Sequence, residues 1–138
     1  MSQPRVRVGT GVRSRCPLCG LLLVAQDRSR RRTSFTRATI SAVADRLPVT
    51  VPAVVIAEWW RGRSAARELI LRGVRVENTT ADVAQLAGRA LAVVPGATAI
   101  DAIVMASAAC RGDLVYTSDS GDLERLRAYF PAVRLLAV

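Results

Sequence analysis

Four carboxylates stand out by position in a chain that carries only eleven: Glu58, Asp101, Asp119 and Asp122. Glu58 sits in the apolar run Val54-Val-Ile-Ala-Glu-Trp-Trp60, and Asp101 in an equally apolar segment. A carboxylate on an apolar face is costly unless it is paired or holds a cation. Several together repel, and a hard cation relieves that repulsion. Oxygen donors in a chain without histidine favour Mg²⁺ or Mn²⁺ over softer metals. Such a centre can activate water and stabilise a leaving oxygen, the chemistry of phosphodiester cleavage. The same residues also have plain readings. Asp101 suits the first turn of a helix, Asp119 and Asp122 suit a turn or a helix start, and Glu58 suits an ion pair with an arginine.

The elements that must position these acids are legible in the local pattern. Thr98 is placed to cap a helix with Asp101 in its first turn, and Gly112 to stop it. Leu114-Val-Tyr116 follows as a buried strand, with Asp119 and Asp122 directly beyond its end. In open α/β sheets, sites form outside the carboxyl ends of strands. Upstream, Leu21-Leu-Leu-Val-Ala25 reads as a buried strand. Helical spacing covers residues 34–47, and Pro48 ends it. Residues 49–51 read as a strand. Residues 52–72 read as helix, in two pieces broken near Gly62, with Pro52 at the first helical position. A strand at 74–76 precedes a helix that Thr79 or Thr80 caps, Thr79 with Asp82 making a capping-box pattern. Pro95-Gly96 is a break. A last helix spans 123–129 and a last strand 133–138. Alternating strands and helices predict an α/β fold with a parallel sheet.

Length and composition set the frame. At 138 residues and 51% apolar content, the chain can build one domain with a core. No apolar run approaches a membrane span of about 18 residues, and the expectation is a cytoplasmic protein. The net charge is +9, and every basic residue is arginine. Residues 1–46 hold ten arginines against two acids, a net of +8, while the remainder is close to neutral. Residues 1–19 lack apolar periodicity and read as a basic, flexible N-terminal arm, with a folded domain over 20–138. The run Arg28-Ser-Arg-Arg-Arg32 has the chemistry to meet RNA phosphates, or simply to face solvent. Three cysteines and no histidine argue against a disulfide framework and leave Cys16-Pro-Leu-Cys19 as half of a zinc site at most.

Three segments carry a family resemblance: Val51-Pro-Ala-Val-Val-Ile-Ala-Glu58-Trp-Trp-Arg-Gly62, Ala99-Ile-Asp101-Ala102, and Tyr116-Thr-Ser-Asp119-Ser-Gly-Asp122-Leu123. Together they resemble the PIN-domain family, and within it the VapC-type ribonuclease toxins of bacterial toxin–antitoxin pairs, over about residues 48–138. The resemblance implies a PIN-like three-layer α/β/α domain with a central parallel sheet. It implies RNA cleavage dependent on Mg²⁺ or Mn²⁺, control by a cognate antitoxin, and a homodimer. Carried over, Glu58, Asp101 and Asp119 become metal-site carboxylates and Asp122 the fourth acid. Thr117 or Ser118 becomes a hydroxyl that orders the site, and Trp59 or Trp60 an interface residue.

One family feature departs. The Asp expected at the end of the first strand has no direct counterpart. Counting back from Glu58 puts that position near Cys19, while Asp27 is the alternative because it follows the apolar run. A thiol at Cys19 is a soft, poor partner for Mg²⁺, so a weakened site is expected if that alignment holds. A second expectation follows, a PIN-like module that binds antitoxin or RNA without cutting.

Overall fold

The computed structural model describes residues 21–24, 48–60, 62–117 and 120–137. Five strands form one sheet: β1 (Leu21–Val24), β2 (Val49–Pro52), β3 (Arg75–Glu77), β4 (Leu114–Thr117) and β5 (Arg134–Ala137). Among the described residues there are five helices: α1 (Ala53–Trp59), α2 (Ala65–Gly73), α3 (Ala81–Val93), α4 (Ala99–Arg111) and α5 (Ser120–Arg127). The arm over 1–19, the cysteine pair, the arginine run and the helix expected over 34–47 lie outside the described residues.

The strand order is β3-β2-β1-β4-β5, and every pairing is parallel. The α/β expectation with a parallel sheet therefore holds. Leu21 pairs with both Val49 and Leu114, and Val24 with Thr117. Thr117 pairs in turn with Ala137, and Pro52 with Glu77. β2 is buried along its whole length, as an inner parallel strand should be. The edge strands β3 and β5 are largely exposed.

The core is built on α4. Ala102, Val104, Met105, Ala106 and Ala108 are all inaccessible to solvent. A helix apolar on nearly every side is driven into the interior, and its many alanines let neighbours approach closely. It packs against α3, α5, β1, β2 and β4. Ala87, Ala90 and Val94 meet it from the α3 side, and Leu123, Leu126 and Phe130 add the α5 side of the same cluster.

Several boundaries shift from the sequence expectation. Pro52 ends β2 and stands at the cap of α1 instead of inside the helix. The break near Gly62 is real, since α1 stops at Trp59 and α2 starts at Ala65. Ser64 caps α2 by accepting from the Arg67 amide. Thr80, not Thr79, caps α3, accepting from Val83 N. The Thr79–Asp82 capping box therefore does not form, and Thr79 Oγ1 is buried with no partner among the described residues. α5 starts at Ser120, three residues before the expected Leu123, and ends at Arg127.

Candidate functional site

The sheet has one switch point. From β1 the chain steps outward to β2 and β3, then returns across the sheet to β4 and β5. Crevices for ligands open at the carboxyl ends of the two strands on either side of such a point, here Val24 of β1 and Thr117 of β4. α4 feeds β4 through Gly112 and Asp113 alone. The helix therefore runs back over the sheet and starts on the side where β4 ends.

Asp101 lies in the first turn of α4 and is fully buried. Its amide donates to Thr98 Oγ1 at 3.2 Å, and that hydroxyl donates to Asp101 Oδ2 at 2.6 Å. The cap and the acid thus satisfy each other, and the positive end of the helix dipole favours the carboxylate. Thr117, the last residue of β4, is also fully buried. Ser118 and Asp119, directly beyond it, lie outside the described residues.

Asp122 is half-buried in the first turn of α5 and forms an ion pair with Arg125 one turn later. Glu58 is exposed. This corrects the premise that an apolar helix buries its carboxylate. In the last turn of α1, Ala57 and Glu58 are exposed while Ile56 and Trp59 are half-buried. The neighbouring Trp59 and Trp60 are half-buried, with ring centroids 6.0 Å apart in an edge-to-face contact.

The donor chemistry of these residues suits a hard divalent cation, being carboxylate and hydroxyl oxygen throughout. Among the described residues, however, no three His, Cys, Asp or Glu side chains gather closely enough to hold a metal ion. Glu58, Asp101 and Asp122 are therefore not brought together as one group. No protein-family model matches this chain, and no curated protein matches it. The resemblance to PIN domains rests on the residues quoted above.

The position of β1 bears on the missing first-strand acid. The strand begins after Cys19 and stops before Asp27. In a parallel sheet, a ligand delivered to the carboxyl edge must follow its strand. Asp27 meets that order and Cys19 does not, although both residues lie outside the described set.

A polar network that sequence reasoning missed lies on the other half of α4. Ser107 Oγ donates to Glu77 Oε2 at 2.5 Å, and Arg111 Nη1 reaches the same oxygen at 2.5 Å. Arg111 Nε also pairs with Asp113 Oδ2 at 2.7 Å. Asp113 and Ser107 are buried, so this network ties α4 to β3 and β4 from inside. Its one local signal was an arginine in the last turn of a helix, where the dipole favours a cation.

Proposed function

We propose that this chain is a metal-dependent endoribonuclease of the PIN-domain kind, the toxin of a toxin–antitoxin pair. The observation that carries the reading is Asp101, a fully buried carboxylate in the first turn of α4. It stands at the switch-point side of a five-stranded parallel sheet, where β4 leads within two residues to Asp119. Right-handed crossovers are the rule in such sheets. With this strand order that rule supports the reading of three layers, with α1 and α2 on one face and α3, α4 and α5 on the other.

Asp101 and Asp119 are the centre of the proposed site, and Asp27, which follows β1 in sequence, is its candidate first-strand acid. A bound Mg²⁺ or Mn²⁺ supplies Lewis acidity and a more acidic water for cutting a phosphodiester bond. The chain's own part is to hold the carboxylates. Thr98 fixes one oxygen of Asp101, and Thr117 supports the end of β4. The net charge of +9 favours an RNA substrate through its phosphates. The half-buried Trp59 and Trp60, with Leu69 55% exposed on α2, suit an antitoxin or dimer contact, since aromatic residues are enriched there. Among the described residues no helix is long and apolar enough to cross a membrane, and a cytoplasmic location accords with the proposed role.

The second reading is a PIN-like module that binds antitoxin or RNA without cutting. The exposed Glu58 and the pairing of the Asp122 carboxylate with Arg125 favour it. Cleavage of single-stranded RNA with Mn²⁺ and with EDTA separates the two. The nuclease predicts Mn²⁺-dependent products that disappear in Asp101→Asn while the melting transition is retained. Cleavage at an unchanged rate in Asp101→Asn would remove Asp101 from the site.

A further inference from the structure

β3 closes the sheet on one side. Among the described residues it pairs with β2 alone, so the outward backbone groups of Arg75–Glu77 have no strand beside them. A bare strand edge is a template for another extended chain. The side chains along this edge give it a definite character. Glu77 turns toward α4, where it meets Ser107 and Arg111. Alternation along a strand sends Val76 to the opposite face, where it is 43% exposed. The rule of right-handed crossovers supports placing α2 on that face as well. α2 leads into β3 through Val74 alone and carries Leu69, 55% exposed. The charge of this stretch is one-sided. Its acids are engaged, Glu68 with Arg63 and Glu77 with Arg111. Arg72 and Arg75 are exposed and enter no ion pair among the described residues.

We propose that the β3 edge docks an extended segment of a partner protein in which apolar and acidic residues alternate. Such a segment adds as a further strand, its main chain pairing with the outward groups of β3. Its side chains then alternate between the two faces. Those on the Val76 face meet Val76 and Leu69 and have to be apolar. Those on the other face stand beside Arg75, and an acid is favoured there because Arg111 already neutralises the neighbouring Glu77. An RNA strand would meet the arginines, but it has no aliphatic groups for Leu69 and Val76 and no amide ladder for the edge. β3 lies two strands out from β1, so the docking does not depend on a cation at the switch point.

Fluorescence anisotropy with the full chain at physiological salt tests this. The probes are a labelled, end-blocked octapeptide alternating valine and glutamate, an isomer that groups them in pairs, and a labelled oligouridylate. The isomer keeps composition and charge and loses the alternation. The alternating peptide should bind at least about ten-fold more tightly than the isomer, the scale of one more buried apolar side chain. Arg75→Glu and Val76→Glu, each checked for a cooperative melt, should weaken it by about five-fold or more. Leu69→Glu, on the exposed surface of α2, repeats the test off the strand and should give a similar loss. Arg134→Glu makes the same charge change as Arg75→Glu on the opposite edge strand, at an exposed position, and should leave the affinity unchanged. Equal binding of the two peptides overturns the proposal, as does a loss in Arg134→Glu as large as that in Arg75→Glu. Tighter binding of the oligouridylate than of the alternating peptide, weakened by Arg75→Glu and not by Val76→Glu, would make the edge an RNA contact and also overturns it.

Discussion

At the residue scale, Thr98 and Asp101 form a closed pair in which one hydroxyl both accepts from the Asp101 amide and donates to its carboxylate. Thr98→Ala removes both bonds and leaves a buried charge with one partner fewer. We predict a loss of about 1–2 kcal/mol, read from the urea midpoint. Thr98→Ser keeps the oxygen and should stay within about 0.5 kcal/mol of the parent. A Ser variant as unstable as the Ala variant would show that the methyl group, not the hydroxyl, matters. The order of β1 yields a second prediction. Asp27 follows that strand and Cys19 precedes it. On the proposed nuclease reading, Asp27→Asn should therefore depress Mn²⁺-dependent cleavage by at least about ten-fold, the lower end for a residue that only supports a metal ligand. Cys19→Asp should leave it unchanged. The reverse pattern in a side-by-side assay would restore Cys19 as the first-strand position.

At the element scale, α4 is held at both ends by local chemistry and along its length by packing. Its carboxyl end closes on Gly112, in the left-handed conformation with φ of +74°. The Gly112 and Asp113 amides both donate to Ala108 O, at 2.8 and 3.0 Å. A Cβ at Gly112 would meet nothing within 4 Å, so any penalty there is conformational and not steric crowding. Gly112→Ala should cost about 1 kcal/mol, and Gly112→Asn less, because Asn tolerates this region better. Equal midpoints for the Gly and Ala proteins in chemical denaturation would mean that the helix end relaxes to another conformation. Beside this turn, Arg111 joins Glu77 and Asp113, so the same few residues fix the helix end, the β3 edge and the start of β4.

At the scale of the whole molecule, residues 1–46 carry a net charge of +8, and the core among the described residues draws on α4, β2, β4 and the apolar faces of α3 and α5. β1, the central strand, starts at Leu21, so residues 1–19 precede the first strand of the sheet. Deleting residues 1–19 should keep a cooperative thermal transition and, on the proposed RNA-cleaving reading, flatten the salt dependence of RNA binding, because four of the arginines go with them. Loss of the cooperative transition would show that this stretch belongs to the core.

Much of this molecule could be read from its sequence because the signals are local. The Thr98 cap, the Gly112 stop, the Pro95-Gly96 break and the interruption near Gly62 each depend on residues within about one turn of one another. The parallel α/β class followed from strands alternating with helices, and the burial of α4 from its unbroken apolar and small residues. The errors fell where distant segments decide. Thr79 and Thr80 are near-equivalent caps in sequence, and in the folded chain Thr80 takes the role by accepting from Val83 N. Glu58 stands among apolar neighbours in sequence, yet with Ala57 it takes the exposed side of the last turn of α1, while Ile56 and Trp59 are half-buried. The bond from Ser107 to Glu77 joins residues 30 positions apart, and the β1–β4 pairing sets Leu21 beside Leu114. No periodicity encodes such meetings. They exist because the sheet and α4 must share one core, and only the folded chain brings those side chains within reach.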